Sequence, residues 1–225
     1  YFVFLNAIKS RFGVTGLDTE EEIKDKITNG IMKLFGEDSK ISPEEEILPY
    51  ILHLMPVKLS DKQAEKIEYL KESLEELQKQ TFAAIKHILM QAVKQRPIVL
   101  ALEDLHWLDD VSYKLILFLM DNLIETPTLL LNVYRPEIYG DPGTGDRLCW
   151  KLTTTAKEKF GDDRYTEVRL DRLSKEKMKL ILDSMLNLED TQDSHDLKEM
   201  ILNKAEGNPF YLEEVIRALI EEVVI

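Results

Sequence analysis

Two adjacent carboxylates, Glu103 and Asp104, end a short apolar run at residues 98–102 that begins just after Pro97. The run is rich in branched residues and too short for a globular helix, so it reads as a strand buried on both faces, as in a parallel sheet. Ligands of open α/β sheets lie beyond the carboxyl ends of the strands. An acidic pair there can hold a hydrated Mg²⁺ and orient or deprotonate a water beside a phosphate. The same two carboxylates also suit a solvated turn with no chemistry at all. A second apolar run, residues 128–134, leads into Arg135, Pro136 and Glu137. An arginine at that edge can contact a γ-phosphate and register its loss, or simply pair with Glu103 or Asp104.

Other chemistries find little in the chain. His53, His87, His106 and His195 form no His-Glu-x-x-His or other close ligand spacing, and Cys149 lacks the local signature of a nucleophile. No Gly-x-Ser-x-Gly occurs. His106 and Trp107 read as residues that fix the turn after the strand. Residues 138–163 read as a turn-rich loop with one short helix. Within them, the glycines from Gly140 to Gly145 lack the Gly-Lys-Ser/Thr ending of a phosphate loop.

The elements that must position the acidic pair follow from periodicity and punctuation. A helix capped by Asp110 or Ser112 runs to Asn122, with Leu115, Leu117, Phe118, Leu119 and Leu123 on its buried side. Strand, helix and strand make a βαβ unit. Residues 166–170 read as a third, shorter strand. Ser174 then caps a helix reaching about Leu186, and a further helix covers roughly residues 196–205. Gly207, Asn208 and Pro209 suit a helix stop followed by a new N-cap and first turn.

Ahead of the first strand the pattern is helical throughout. Phe2, Leu5, Ile8 and Phe12 share a helical stripe, and Asp18 with Glu21 is expected to cap a helix ending near Gly36. Pro43 suits a first helical turn, and Pro49 should shorten the helix it opens. Ser60 and Gln63 head a long pattern through Ala92 that reads as one surface helix.

The chain has 225 residues, 44% hydrophobic and 32% charged, enough for one large domain or a core with a lid. Acidic side chains number 42 against 29 basic ones, a net charge of −13. This argues against broad capture of nucleic acid or anionic membrane. A single cysteine excludes an internal disulfide and fits a reducing, cytoplasmic compartment. No apolar run approaches a membrane span. The chain opens without Met and without a signal peptide, which sets the expectation that more chain lies upstream.

The string from Pro97 to Ser112, with Glu103-Asp104-Leu105-His106-Trp107-Leu108-Asp109, resembles the Walker B segment of the STAND class of P-loop ATPases. These are AAA-like signalling modules that accompany class III nucleotide cyclases and LuxR-type regulators. Tyr134 to Glu137 match the family's Tyr-Arg-Pro-Glu sensor segment. The stretch from Gly207 to Glu214, Gly-Asn-Pro-Phe-Tyr-Leu-Glu-Glu, looks like its Gly-x-Pro lid motif. Residues 1–12 resemble the helix after its second strand.

The resemblance implies an α/β fold: a P-loop NTPase-like parallel sheet, N-terminally incomplete, with a helical lid. The core would span residues 1–170 with a helical insertion at about 13–95, and the lid residues 171–225. Glu103 would hold Mg²⁺ through water, Asp104 would position or activate the attacking water, and Arg135 would sense the γ-phosphate. Pro209 would lie against adenine, with Gly207 letting the backbone come close. ATP or ADP with Mg²⁺ would be the ligands, hydrolysis a conformational switch, and linked upstream and downstream regulatory domains the partners. A homo-oligomer stays open. No Gly-Lys-Ser or Gly-Lys-Thr occurs in the chain, so it carries no Walker A. In the family's strand order, 5-1-4-3-2, the strands at 128–134 and 166–170 would flank an empty slot. The alternative is a non-catalytic interaction scaffold that binds a partner through its acidic helical segment.

Overall fold

Helical periodicity, not strand pairing, governs most of the chain. The computed structural model describes residues 1–36, 39–135, 148–186 and 191–221, except for the side chain of Phe2. It divides into two compact units, Tyr1–Tyr165 and Thr166–Ile225.

The first unit opens with α1 (Phe2–Arg11), which buries Phe4 and Ile8. Helix α2 (Glu20–Phe35) begins one residue later than expected. Glu22 N–H donates to the Thr19 hydroxyl, and the Glu22 carboxylate accepts from Thr19 N–H at 2.8 Å. Asp18 is occupied elsewhere, accepting from Thr15 N–H and pairing with Lys26, each at 2.7 Å. Gly36, at φ 67°, ends α2 as its position predicts. Pro43 opens the single turn α3 (Pro43–Glu46), and α4 (Leu48–His53) follows.

The expected single surface helix is two. These are α5 (Asp61–Lys71), headed by Ser60 with Gln63, and α6 (Leu74–Gln95), headed by Ser73. Nor does this segment behave as an appendage. Ile27, Ile31, Ile47, Ile51, Leu52 and Ile67 are fully buried and share one core with Leu102, Leu105, Leu115 and Leu119. Their recurrence at helical spacing is what closes the unit around helices.

Strand β1 (Ile98–Leu102) pairs in parallel with β2 (Thr128–Asn132), Ile98 opposite Thr128 and Leu102 opposite Asn132. The crossover between them is α7 (Asp110–Leu123). Helix α8 (Leu148–Arg164), interrupted at Gly161, then occupies much of the expected loop and buries Cys149, Leu152 and Ala156. The expected glycine-rich turn at 140–145 lies outside the described residues, as do Pro136 and Glu137.

The expected α/β P-loop NTPase-like parallel sheet is therefore overturned. The described residues are 69% helix and 5% strand, and they hold one two-stranded sheet. Residues 166–170 form no strand, and Val168 and Leu170 are exposed. A five-residue segment of strand-forming composition needs a neighbouring backbone to satisfy its N–H and C=O groups, and here none is paired with it. The two strands are also not buried on both faces. Leu100 and Leu102 enter the core, whereas Val99 is 64% and Leu129 58% exposed.

The second unit packs α9 (Lys175–Met185), α10 (Gln192–Ala205) and α11 (Pro209–Glu221) around Met178, Leu182, Ile201, Leu212 and Ile216. Ser174 caps α9, as read from the sequence. Among the described residues, no helix is long and apolar enough to cross a membrane.

Candidate functional site at the carboxyl edge of the two-stranded sheet

The parallel ladder continues past the strands and shapes the edge. Val133 N–H donates to Leu102 C=O at 2.9 Å, and Leu105 N–H donates to Val133 C=O at 3.1 Å. Glu103 and Asp104 lie between those two rungs, and Arg135 follows two residues after Val133. The register therefore brings Glu103, Asp104 and Arg135 to the same carboxyl edge. All three are exposed. Among the described residues, no ion pair joins Arg135 to either carboxylate, so simple charge pairing is not what occupies it.

Asp104 adopts φ 55° and ψ 33°, one of two non-glycine residues at positive φ among those described. A short polar side chain tolerates this region better than an apolar one. The turn is closed by Trp107 N–H donating to Asp104 C=O at 2.9 Å, within a single 3-10 turn at Leu105–Trp107. The backbone thus turns Asp104 outward, its side chain 68% exposed, and carries His106 inward, its side chain 4% exposed. His106 Nε2 lies 3.8 Å from Asp104 Oδ1, while His106 Nδ1 is buried without a hydrogen-bond partner.

Two neighbours brace this edge. Asp109, not Asp110 or Ser112, caps α7, accepting from Ser112 N–H at 2.8 Å and from the Ser112 hydroxyl at 2.6 Å. Burial acts to raise the Asp109 pKa, but the hydroxyl and N–H of Ser112 oppose it, and the carboxyl is held below its ordinary range. Tyr134 anchors the end of β2 to α8, its hydroxyl 3.0 Å from Thr153 Oγ1 and its ring edge-on to Trp150. Sequence reasoning missed Asp109 because three candidate caps stand within four residues, and only the observed bonds choose among them.

Gly207 and Pro209 belong to the second unit and have structural tasks there. Gly207, at φ 77°, accepts from Leu173 N–H at 2.9 Å, and an added Cβ would stand 2.6 Å from Leu173 C=O. Asn208 Oδ1 accepts from Phe210 N–H at 3.1 Å and so heads α11, whose first residue, Pro209, is exposed. The left-handed turn at Glu206 and Gly207, together with this cap, accounts for the Gly-Asn-Pro order.

As a ligand site the edge is partial. Magnesium keeps several of its waters and needs only one or two carboxylates, which Glu103 and Asp104 can offer. Among the described residues, no group of three or more His, Cys, Asp or Glu is placed to hold a metal directly. A triphosphate also needs a run of convergent N–H donors. The described glycines at positive φ, Gly13, Gly36, Gly161 and Gly207, are separate turn or cap positions and make no such cradle. Held through water, Mg²⁺ would draw on Glu103 and Asp104 alone, and the phosphates find no seat on the described residues. No protein-family model, curated protein or solved structure matches this chain.

Proposed function

We propose that the chain contributes the acidic edge of an ATP-binding module in a signal-transduction ATPase, with hydrolysis acting as a conformational switch. One observation carries the reading: the parallel register delivers Glu103, Asp104 and Arg135 to a single strand edge, with no ion pair between the arginine and the carboxylates. In this assignment Glu103 holds Mg²⁺ through water, Asp104 orients the attacking water, and Arg135 answers the γ-phosphate. Pro209 and Gly207 form the adenine contact of the second unit. Their structural tasks in the α10–α11 turn are compatible with this, since a rigid turn can also present a flat proline. The phosphate cradle has to come from outside the described residues. The remaining partners in this reading are regulatory domains on the same chain, in a cytoplasmic setting that the lone buried Cys149 suits.

The test is Mg·ATP binding and hydrolysis by the full-length protein and its Asp104→Asn variant. Asparagine preserves shape and removes the charge that orients or deprotonates water. The expected outcome is unchanged binding with hydrolysis reduced about 100-fold, the scale of a positioned acid–base group. Equal hydrolysis by both proteins removes Asp104 from that role, and absence of ATP binding removes the function.

A second reading, a non-catalytic interaction scaffold, draws on a different observation. Val99, Leu129, Leu131 and Val133 leave one face of a parallel sheet apolar and exposed, where such sheets are ordinarily covered on both faces. The acidic helical segment is a weaker basis for that reading, since its apolar side builds the core.

A further inference from the structure

The carboxyl edge holds a buried histidine that the proposed function leaves without a task. His106 is packed beneath the turn, its side chain 4% exposed, with Nε2 3.8 Å from Asp104 Oδ1. Its second nitrogen, Nδ1, is buried with no hydrogen-bond partner. A neutral imidazole carries a single N–H, on one nitrogen or the other. A buried donor left without an acceptor is rarer and less favourable than a buried acceptor left without a donor. Nε2 faces the Asp104 carboxylate while Nδ1 makes no hydrogen bond, so the proton is favoured on Nε2 and Nδ1 keeps a bare lone pair.

The arrangement is local in origin. The positive φ at Asp104 and the two bonds that close the turn send the side chains of Asp104 and His106 to opposite environments. The result is an exposed carboxylate with a largely buried imidazole beside it, whose Nδ1 is the buried nitrogen. At 3.8 Å the contact is longer than a hydrogen bond, so the pull is electrostatic.

From this geometry we infer that His106, as the Nε2–H tautomer, is the positioning residue of Asp104: its N–H draws one carboxylate oxygen toward the protein and leaves the other facing solvent. The inference rests on the reading of Asp104 as the water-orienting carboxylate, while the His106–Asp104 contact is measurable without any nucleotide.

The contact is read first, by ¹⁵N NMR of the imidazole in the full-length protein. The expected spectrum has a protonated Nε2 and an unprotonated Nδ1, with both resonances moved by Asp104→Ala and unmoved by Glu103→Ala. Protonation at Nδ1, or indifference to Asp104→Ala, overturns the inference. The consequence is read next, in ATP hydrolysis by the full-length protein. His106→Gln keeps an N–H near the Nε2 position and should hold kcat within about twofold, whereas His106→Leu keeps only the apolar filling. The leucine variant should lose about tenfold in kcat at unchanged KM and unchanged melting temperature. Equal losses in the two variants, or losses that follow melting temperature, reduce His106 to packing and overturn the role. If the wild type hydrolyses no ATP while its ring nitrogens answer to Asp104, the proposed function falls and the positioning contact stands.

Discussion

Asp109 shows how one carboxylate can serve structure beside a site assigned to chemistry. It satisfies the first turn of α7 through Ser112, which is itself fully buried. Asp109→Ala should cost about 1 kcal/mol, the usual worth of an N-cap, read from urea denaturation near neutral pH. The native pKa of Asp109 lies below its unfolded value. Its contribution is therefore complete above the unfolded pKa of about 4 and is lost as pH falls through the native one. The difference in stability between wild type and Asp109→Ala should accordingly shrink on acidification below about pH 4. A gap that stays constant to pH 2 would assign Asp109 no ionic role. At Asp104, by contrast, the sequence showed the residue type and the strand before it, but not the left-handed backbone that turns it out and His106 in. Asp-Leu-His is compatible with many turns. The rung from Leu105 to Val133, a residue 28 positions away by number, selects this one.

At the scale of elements, the α10–α11 turn offers the sharpest test. Gly207→Ala meets a left-handed φ and the carbonyl of Leu173 together. It should destabilise the second unit by roughly 2 kcal/mol, combining the handedness penalty with a backbone collision. Thermal melting followed by circular dichroism reads this. A neutral Gly207→Ala would show that the approach to Leu173 is not needed, and would favour a purely ligand-directed reason for glycine. Helix starts at Ser60 and Ser174, the stop at Gly36 and the first turn at Pro43 were all legible, because caps are local chemistry. The break at Glu72 and Ser73 was not: apolar spacing continues across it, and Ser73 acts as a cap because α6 turns back to pack against α5 and α4.

Across the first unit as a whole, the burial pattern sets an asymmetry between its helices and its sheet. Ile116 is fully buried in the shared core, while Leu129 on the open face of β2 is 58% exposed. Ile116→Ala should cost about 2–5 kcal/mol and Leu129→Ala less than about 1 kcal/mol, both read from denaturant midpoints. A costly Leu129→Ala would mean that the sheet face is covered in solution, which would favour the scaffold reading.

What the sequence determined by itself was local: the two strands, their crossover helix, most helix caps, and the acidic pair with an arginine at the next strand end. Each of these is set by residue type and spacing within a few turns of chain. Tertiary structure alone decided three further things. It made the segment at 13–95 the body of the core, because its isoleucines and leucines bury against the crossover helix and α1. It left residues 166–170 unpaired, because strand formation depends on a partner backbone that propensity cannot supply. It also put His106 under Asp104, because a rung between distant residues closes the turn. A family-like string can be read from sixteen residues, but the architecture around it depends on where every other apolar side chain finds cover.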